Sequence, residues 1–193
     1  MMFILSLTIV TILMVMQVIK RPFLEKKIKK IFWIPVAAVF LLCSVFSVFQ
    51  YKAWKESPVM KFAFETDNWI LPFAYNVFIK YFAPYVLALA LAALMALAMM
   101  WVNKRSRGRF FERDEIFIAF IAGFLAGFPG FLFFILGIVI AYLLTHLINA
   151  IFRKTARSEV IPLYYFWLPV SAFVIIISEI WLSKLPFWSL LIV

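Results

Sequence analysis

Charge is what this sequence has least of. Only 15% of its 193 residues are charged, against about a quarter in an ordinary soluble domain. There is one cysteine, so no internal disulfide can form, which excludes a secreted disulfide scaffold. One cysteine and one histidine give no zinc-ligand spacing, and nothing calls for a metal or any other cofactor. A phosphate-binding glycine loop, H-E-x-x-H, G-x-S-x-G and the dinucleotide fingerprint are all missing. No internal repeat stands out, which weakens an inverted-repeat transporter reading.

What is present is apolar. Hydrophobic residues make up 67% of the chain, and the mean hydropathy is +1.06. A soluble fold of this size cannot hide so much apolar surface, so lipid must be the solvent. A disordered chain and a cytosolic enzyme are excluded on the same ground. The expected fold is an all-α, polytopic integral membrane protein forming one domain over residues 1–193. Cys43 lies in an apolar run and reads as a small packing residue rather than a reactive thiol.

A crossing helix needs roughly 20 apolar residues to span a hydrocarbon core about 30 Å thick. Six segments qualify or nearly so, at about 1–19, 31–49, 81–102, 114–128, 131–152 and 160–182. The first lacks a basic leader and a small-residue cleavage site, so it reads as a retained helix rather than a removed signal. Ile116–Phe152 carries no formal charge and is too long for one crossing. Gly127, Phe128, Pro129 and Gly130 divide it into a short fourth helix and a full fifth. The tail Leu185–Val193 is apolar but too short to cross.

The basic residues give the expected orientation. Lys20, Arg21, Lys26, Lys27, Lys29 and Lys30 follow the first helix; Lys104, Arg105, Arg107, Arg109 and Arg113 follow the third; Arg153, Lys154 and Arg157 follow the fifth. These are fourteen of the 19 basic residues, and six crossings put them all on the cytoplasmic side with both termini outside. A re-entrant fourth helix would move the last three outside and shrink the bias. Their place beside membrane helices assigns the net charge of +10 to anionic headgroups, not to nucleic acid.

Residues 60–80 fit no simple crossing. Trp69, Ile70, Phe73, Ala74, Val77 and Phe78 recur at helical spacing, interrupted by Asn68, Asn76 and Lys80. The pattern predicts an amphipathic helix in the outer headgroup layer: a lipid-seated connector, or a cap over a cavity or docking surface for a partner. Ala88, Ala92 and Ala96 on the third helix, with Gly123 and Gly127 on the fourth, form small-residue stripes expected to pack helices closely.

Polar groups within a membrane each need an account. An inner set comprises Gln17, Asp114, Glu115, His146 and Asn149. Asp114 and Glu115 open the fourth helix, where acidic side chains also suit the helix dipole. His146 and Asn149 are three apart and share a helix face. An outer set comprises Asp67, Lys80, Glu179 and Lys184; Glu179 either pairs with a lysine or snorkels to the headgroups. If the chain is an enzyme, Asp114, Glu115 and His146 are the candidate catalytic residues.

The order of these parts resembles the type IV prepilin peptidases and archaeal preflagellin peptidases, six-helix GxGD aspartic proteases of prokaryotic cytoplasmic membranes. Gln17-Val18-Ile19-Lys20-Arg21 stands where the family carries its first catalytic Asp before basic residues. Glu112-Arg113-Asp114-Glu115 stands at the place of GxGD, and Ile116–Gly127 resembles the following apolar run with two glycines four apart. Ile161-Pro162-Leu163 is similar to the family's opening of the last helix. The likeness runs mainly over Glu112–Phe173, about a third of the chain.

Family chemistry requires two carboxylates sharing a proton. Here Gln17 or Val18 occupies the first place, both glycines of GxGD are gone, and Glu115 aligns with the second Asp. Glu25 is the nearest acid to the first helix and lies within the basic loop. The resemblance therefore implies an inactive relative that keeps the helix frame, with Tyr51–Lys80 as an addition. The leading expectation is a non-catalytic membrane subunit that binds partner proteins or lipids. The alternatives are an active intramembrane prepilin peptidase and a small transporter or channel component. A shortage of mid-membrane polar groups counts against the last.

Overall fold

The computed structural model describes residues 2–19, 32–57, 69–107, 110–152, 163–181 and 184. The side chains of Arg113, Asn149 and Phe152 are outside that description. The described residues are all-α, with no strand. The order is α1 (Met2–Ile19), α2 (Trp33–Glu56), α3 (Ile70–Val77), a π turn (Phe78–Phe82), α4 (Ala83–Arg105), α5 (Arg113–Ala126), α6 (Gly130–Phe152), a 3-10 turn (Leu163–Tyr165) and α7 (Trp167–Ile180).

Five helical stretches are long and apolar enough to cross a membrane: Met2–Ile19, Trp33–Glu56, Ile70–Arg105, Gly130–Ile148 and Leu163–Ile180. Their outward faces carry exposed Leu41, Leu94, Leu143 and Phe173, as surfaces solvated by lipid do. The fourth segment expected to cross, 114–128, is the 14-residue helix α5. At 1.5 Å per residue it is about 21 Å long, short of the full hydrocarbon thickness. Apolar residues surround its axis, and Ile118–Leu125 are buried without interruption. A helix apolar on every side belongs in the middle of a bundle, and α5 packs against α1, α2, α4, α6 and α7.

Packing contacts set the helix directions. Gln17 at the end of α1 reaches Tyr164 just ahead of α7. Phe32, before α2, packs its ring on Phe117 and Phe120 of α5 at 5.5 and 4.7 Å. Asn103 near the end of α4 bonds Phe111 just before α5. Gly130 of α6 faces Val174 and Ser178 of α7, whereas Gly137 faces Val170, so those two helices run antiparallel. One end of the bundle therefore collects the last turns of α1, α4 and α6 and the first turns of α2, α5 and α7.

Several boundaries differ from those read in the sequence. α2 runs on past Phe49 to Glu56. Gln50–Glu56 lowers hydropathy without breaking a helix, and aromatic packing holds the extension: Tyr51 and Trp54 meet Phe73 at 5.8 and 5.2 Å. The expected boundary between an outer helix ending at 80 and a crossing beginning at 81 is no break, since Ile70–Arg105 is helical throughout. Pro84 lies two residues beyond the end of the π turn, in the first turn of α4, where a residue with no N–H to donate is tolerated. Residues 60–68 of that outer segment lie outside the described residues. So do 160–162, where the sixth crossing was expected to begin; the described part of that segment enters α7 through the 3-10 turn.

The division after α5 falls where expected. Gly127 closes the helix at φ 66, a backbone conformation that favours glycine. The Phe128 amide then donates to the Pro84 carbonyl at 3.0 Å, and the Phe128–Pro129 bond is cis. The alanine stripe is buried as expected, with Ala88 and Ala92 at 0% exposure.

Gly137 is the tightest point of α6. A Cβ there would stand 2.8 Å from Val170 Cγ1, a branched carbon that cannot swing away. Gly137→Ala is expected to destabilise the fold by about 1–3 kcal/mol through overpacking. Adding Val170→Ala should recover most of the loss. Unfolding midpoints in mixed micelles, measured over this double-mutant cycle, check both statements.

Candidate functional site

The buried polar residues among those described are few: Ser6, Gln17, Glu115 and Ser171. Two of them converge on the turn that opens α7. Glu115 is the third residue of α5 and 3% exposed. Its Oε2 accepts the Glu112 amide N–H at 3.2 Å, and its Oε1 accepts the Trp167 indole N–H at 3.0 Å. Glu112 reciprocates by accepting the Glu115 backbone N–H, which completes a capping box with a glutamate as N-cap. A helix start leaves N–H groups without intrahelical acceptors, and the buried Glu115 carboxylate takes one of them while reaching across to α7. Gln17, also 3% exposed, donates from Nε2 to the Tyr164 carbonyl at 2.6 Å.

Leu163–Trp167 is thus clipped from two sides, by an amide on α1 and a carboxylate on α5. Ser171 adds a third tie one turn further on, its Oγ donating to the Ala122 carbonyl at 2.8 Å. Nearby, Asn103 closes the basic turn: Nδ2 donates to the Phe111 carbonyl at 2.8 Å and Oδ1 accepts its amide at 3.3 Å.

The rest of the inner set is arranged differently. Asp114 is half-buried beside Glu115 in sequence. His146 is exposed, with its ring against Tyr142 of its own helix at 4.3 Å. α6 leans on the bundle through Phe131, Phe134 and Ile138, and beyond Ile138 its described residues are half-buried or exposed. His146 sits on that outward half and does not join Gln17 and Glu115. The side chain of Asn149 lies outside the described residues.

At the opposite end, Lys80, Glu179 and Lys184 are exposed, and Asp67 lies outside the described residues. Lys80 stands 5.4 Å from the centre of the Tyr81 ring. The order at that end comes from a network not singled out in the sequence. Tyr81 OH donates to Gln50 Oε1 at 2.7 Å, and Gln50 Nε2 donates to Asn76 Oδ1 at 2.7 Å. The Phe46 ring stacks on Tyr81, and the buried Cys43 thiol donates to the Tyr81 carbonyl at 3.2 Å. Asn76, a polar residue interrupting an apolar helical face, was the one signal of this network in the sequence.

Comparison with protein-family models, with curated proteins and with solved structures finds no match to this chain.

Gln17, Glu115 and Ser171 each tie one helix to another. Glu115→Ala is expected to cost about 1–3 kcal/mol by leaving the Trp167 indole and Glu112 amide without partners. Glu115→Gln should cost less, since its carbonyl oxygen can still accept one of the two. Trp167→Phe combined with Glu115→Ala should fall short of the sum of the single effects. Unfolding midpoints for the three variants and the double mutant test this coupling.

Proposed function

We propose that this chain is a non-catalytic polytopic membrane protein, built on a frame like that of the prepilin peptidases and serving as a membrane subunit for a partner protein. The observation that carries the reading is the state of Glu115. Both its oxygens are engaged, one by a backbone amide and one by an indole. An acid–base dyad needs a second carboxylate sharing a proton with the first. At the corresponding place on α1 stands Gln17, an amide whose donor group is committed to a backbone carbonyl. Both residues fasten α7 instead of facing a substrate. The outward half of α6 is the surface such a subunit would offer, with Leu143, Leu147 and Ile151 exposed along it.

In this reading the chain crosses a prokaryotic cytoplasmic membrane six times, with both termini outside. The hairpin of α5 and α6 counts as two crossings; α5 spans its share because protein, not lipid, surrounds it. The end of the bundle holding Gln17 and Glu115 is the cytoplasmic end, where the three basic segments meet anionic headgroups.

Two experiments test these statements. A prepilin-like substrate co-expressed with the wild-type chain is expected to remain uncleaved. Cleavage that Glu115→Gln, Asp114→Asn or His146→Ala abolishes would establish an active peptidase instead. For the topology, cysteine labelling at Arg105 and at Arg153 is expected to place both turns on the cytoplasmic side, in a Cys43→Ala background. Labelling on opposite faces would overturn the six-crossing arrangement.

A further inference from the structure

Beside the basic turn, a cleft of about 660 Å³ opens between the start of α2, α4 and α5. This volume is within the range of sites that hold small molecules, about 300–1,000 Å³. Phe32, Ala93, Leu97, Met100, Phe117 and Phe120 make its walls apolar, and its polar lining residues are Asn103 and Lys104. Asn103 is occupied, since both ends of its amide bond Phe111. Lys104 is exposed and stands as the cation at the mouth. Arg105 follows it, exposed and 5.7 Å from the centre of the Trp101 ring, and then Arg107, also exposed. Among the described residues, no acidic side chain lines the cleft.

The shape is graded along α4. From Ala93 to Lys104 the helix rises about 16 Å, close to the depth of one leaflet's hydrocarbon, about half of a 30 Å core. A groove that is apolar for the length of one acyl chain, and cationic where that chain meets its headgroup, is complementary to one class of molecule. We propose that this cleft is a binding site for an anionic phospholipid. One acyl chain lies along Ala93, Leu97 and Met100, and the phosphate sits at Lys104. Phe117 and Phe120 form the wall against which the chain packs, and Ala93 leaves the room it needs. The inference rests on the membrane placement proposed above but not on the loss of catalysis.

The test uses the full chain, delipidated in mild detergent and titrated with phosphatidylglycerol or with phosphatidylcholine of the same acyl chains. Native mass spectrometry reads bound lipid, whichever way the chain inserts in a membrane. One phosphatidylglycerol is expected to bind at least several-fold more tightly than phosphatidylcholine. Lys104→Gln should weaken it about fivefold, the worth of one headgroup contact. Ala93→Phe should abolish it by filling the cleft. Leu97→Trp, at an exposed wall position that leaves the buried core untouched, should weaken it if Ala93→Phe does not fold. Lys55→Gln, at the other end of α2, should leave binding unchanged.

Equal retention of the two lipids, or binding indifferent to Lys104→Gln and Leu97→Trp, would overturn the proposal. So would a disulfide between Leu97→Cys and a cysteine placed within residues 22–28, in a Cys43→Ala background, because the chain itself would then fill the cleft. Cross-linking of a second protein through Leu97→Cys would overturn it in the same way.

Discussion

The start of a helix must find acceptors for its own free amides, and at the start of α5 a buried carboxylate, Glu115, meets that requirement while reaching a second helix. α5 is the shortest of the major helices together with α7, at 14 residues, and it occupies the middle of the bundle. Glu112 and Glu115 meet the requirement by capping each other's backbone. The second oxygen of Glu115, left over from that exchange, takes the Trp167 indole and so fixes where α7 begins. Gln17 then fixes α1 to the same turn. The placement of three helices follows from satisfying one helix terminus.

Around that point the bundle is held by close approach of small residues, the packing that helices apolar enough to cross a membrane rely on. Ala88, Ala92 and Ala96 let α4 lie tightly on α5, while Gly130 and Gly137 do the same between α6 and α7. The packing of α6 is confined to its first half: past Ile138 none of its described residues is buried. The same economy of side-chain volume that tightens the core at Ala92 and Ala96 leaves room at Ala93 for the cleft beside Lys104. A structure fastened at its polar ends and tight at its alanines and glycines leaves the outward half of α6 and that cleft uncovered among the described residues.

Much of this was legible in the sequence. Apolar run lengths located the helices, since a chain segment must satisfy its backbone internally in lipid. Gly127 and Pro129 marked the reversal between α5 and α6 because the turn needs a positive φ and neither residue sustains a helix. The alanine stripe announced buried positions. Helix ends were less legible where hydropathy and helicity part: Gln50–Glu56 is polar yet helical, and Pro84 sits beside a π turn inside a continuous helix instead of starting one. The inner polar residues were visible as a set, but not which of them meet.

The sequence by itself determined that the described residues are all-α, that five of the helical stretches are long and apolar enough to cross a membrane, and which residues are too polar to be left without partners. Those are properties of composition and of spacing along one segment. Only the tertiary structure decided that Gln17 and Glu115 share one turn while His146 stands apart, and that Gln50, Asn76 and Tyr81 join across α2, α3 and the π turn. Rotation and tilt of one helix against another are set by the sum of many side-chain volumes at their contact. That sum has no signature in any single segment.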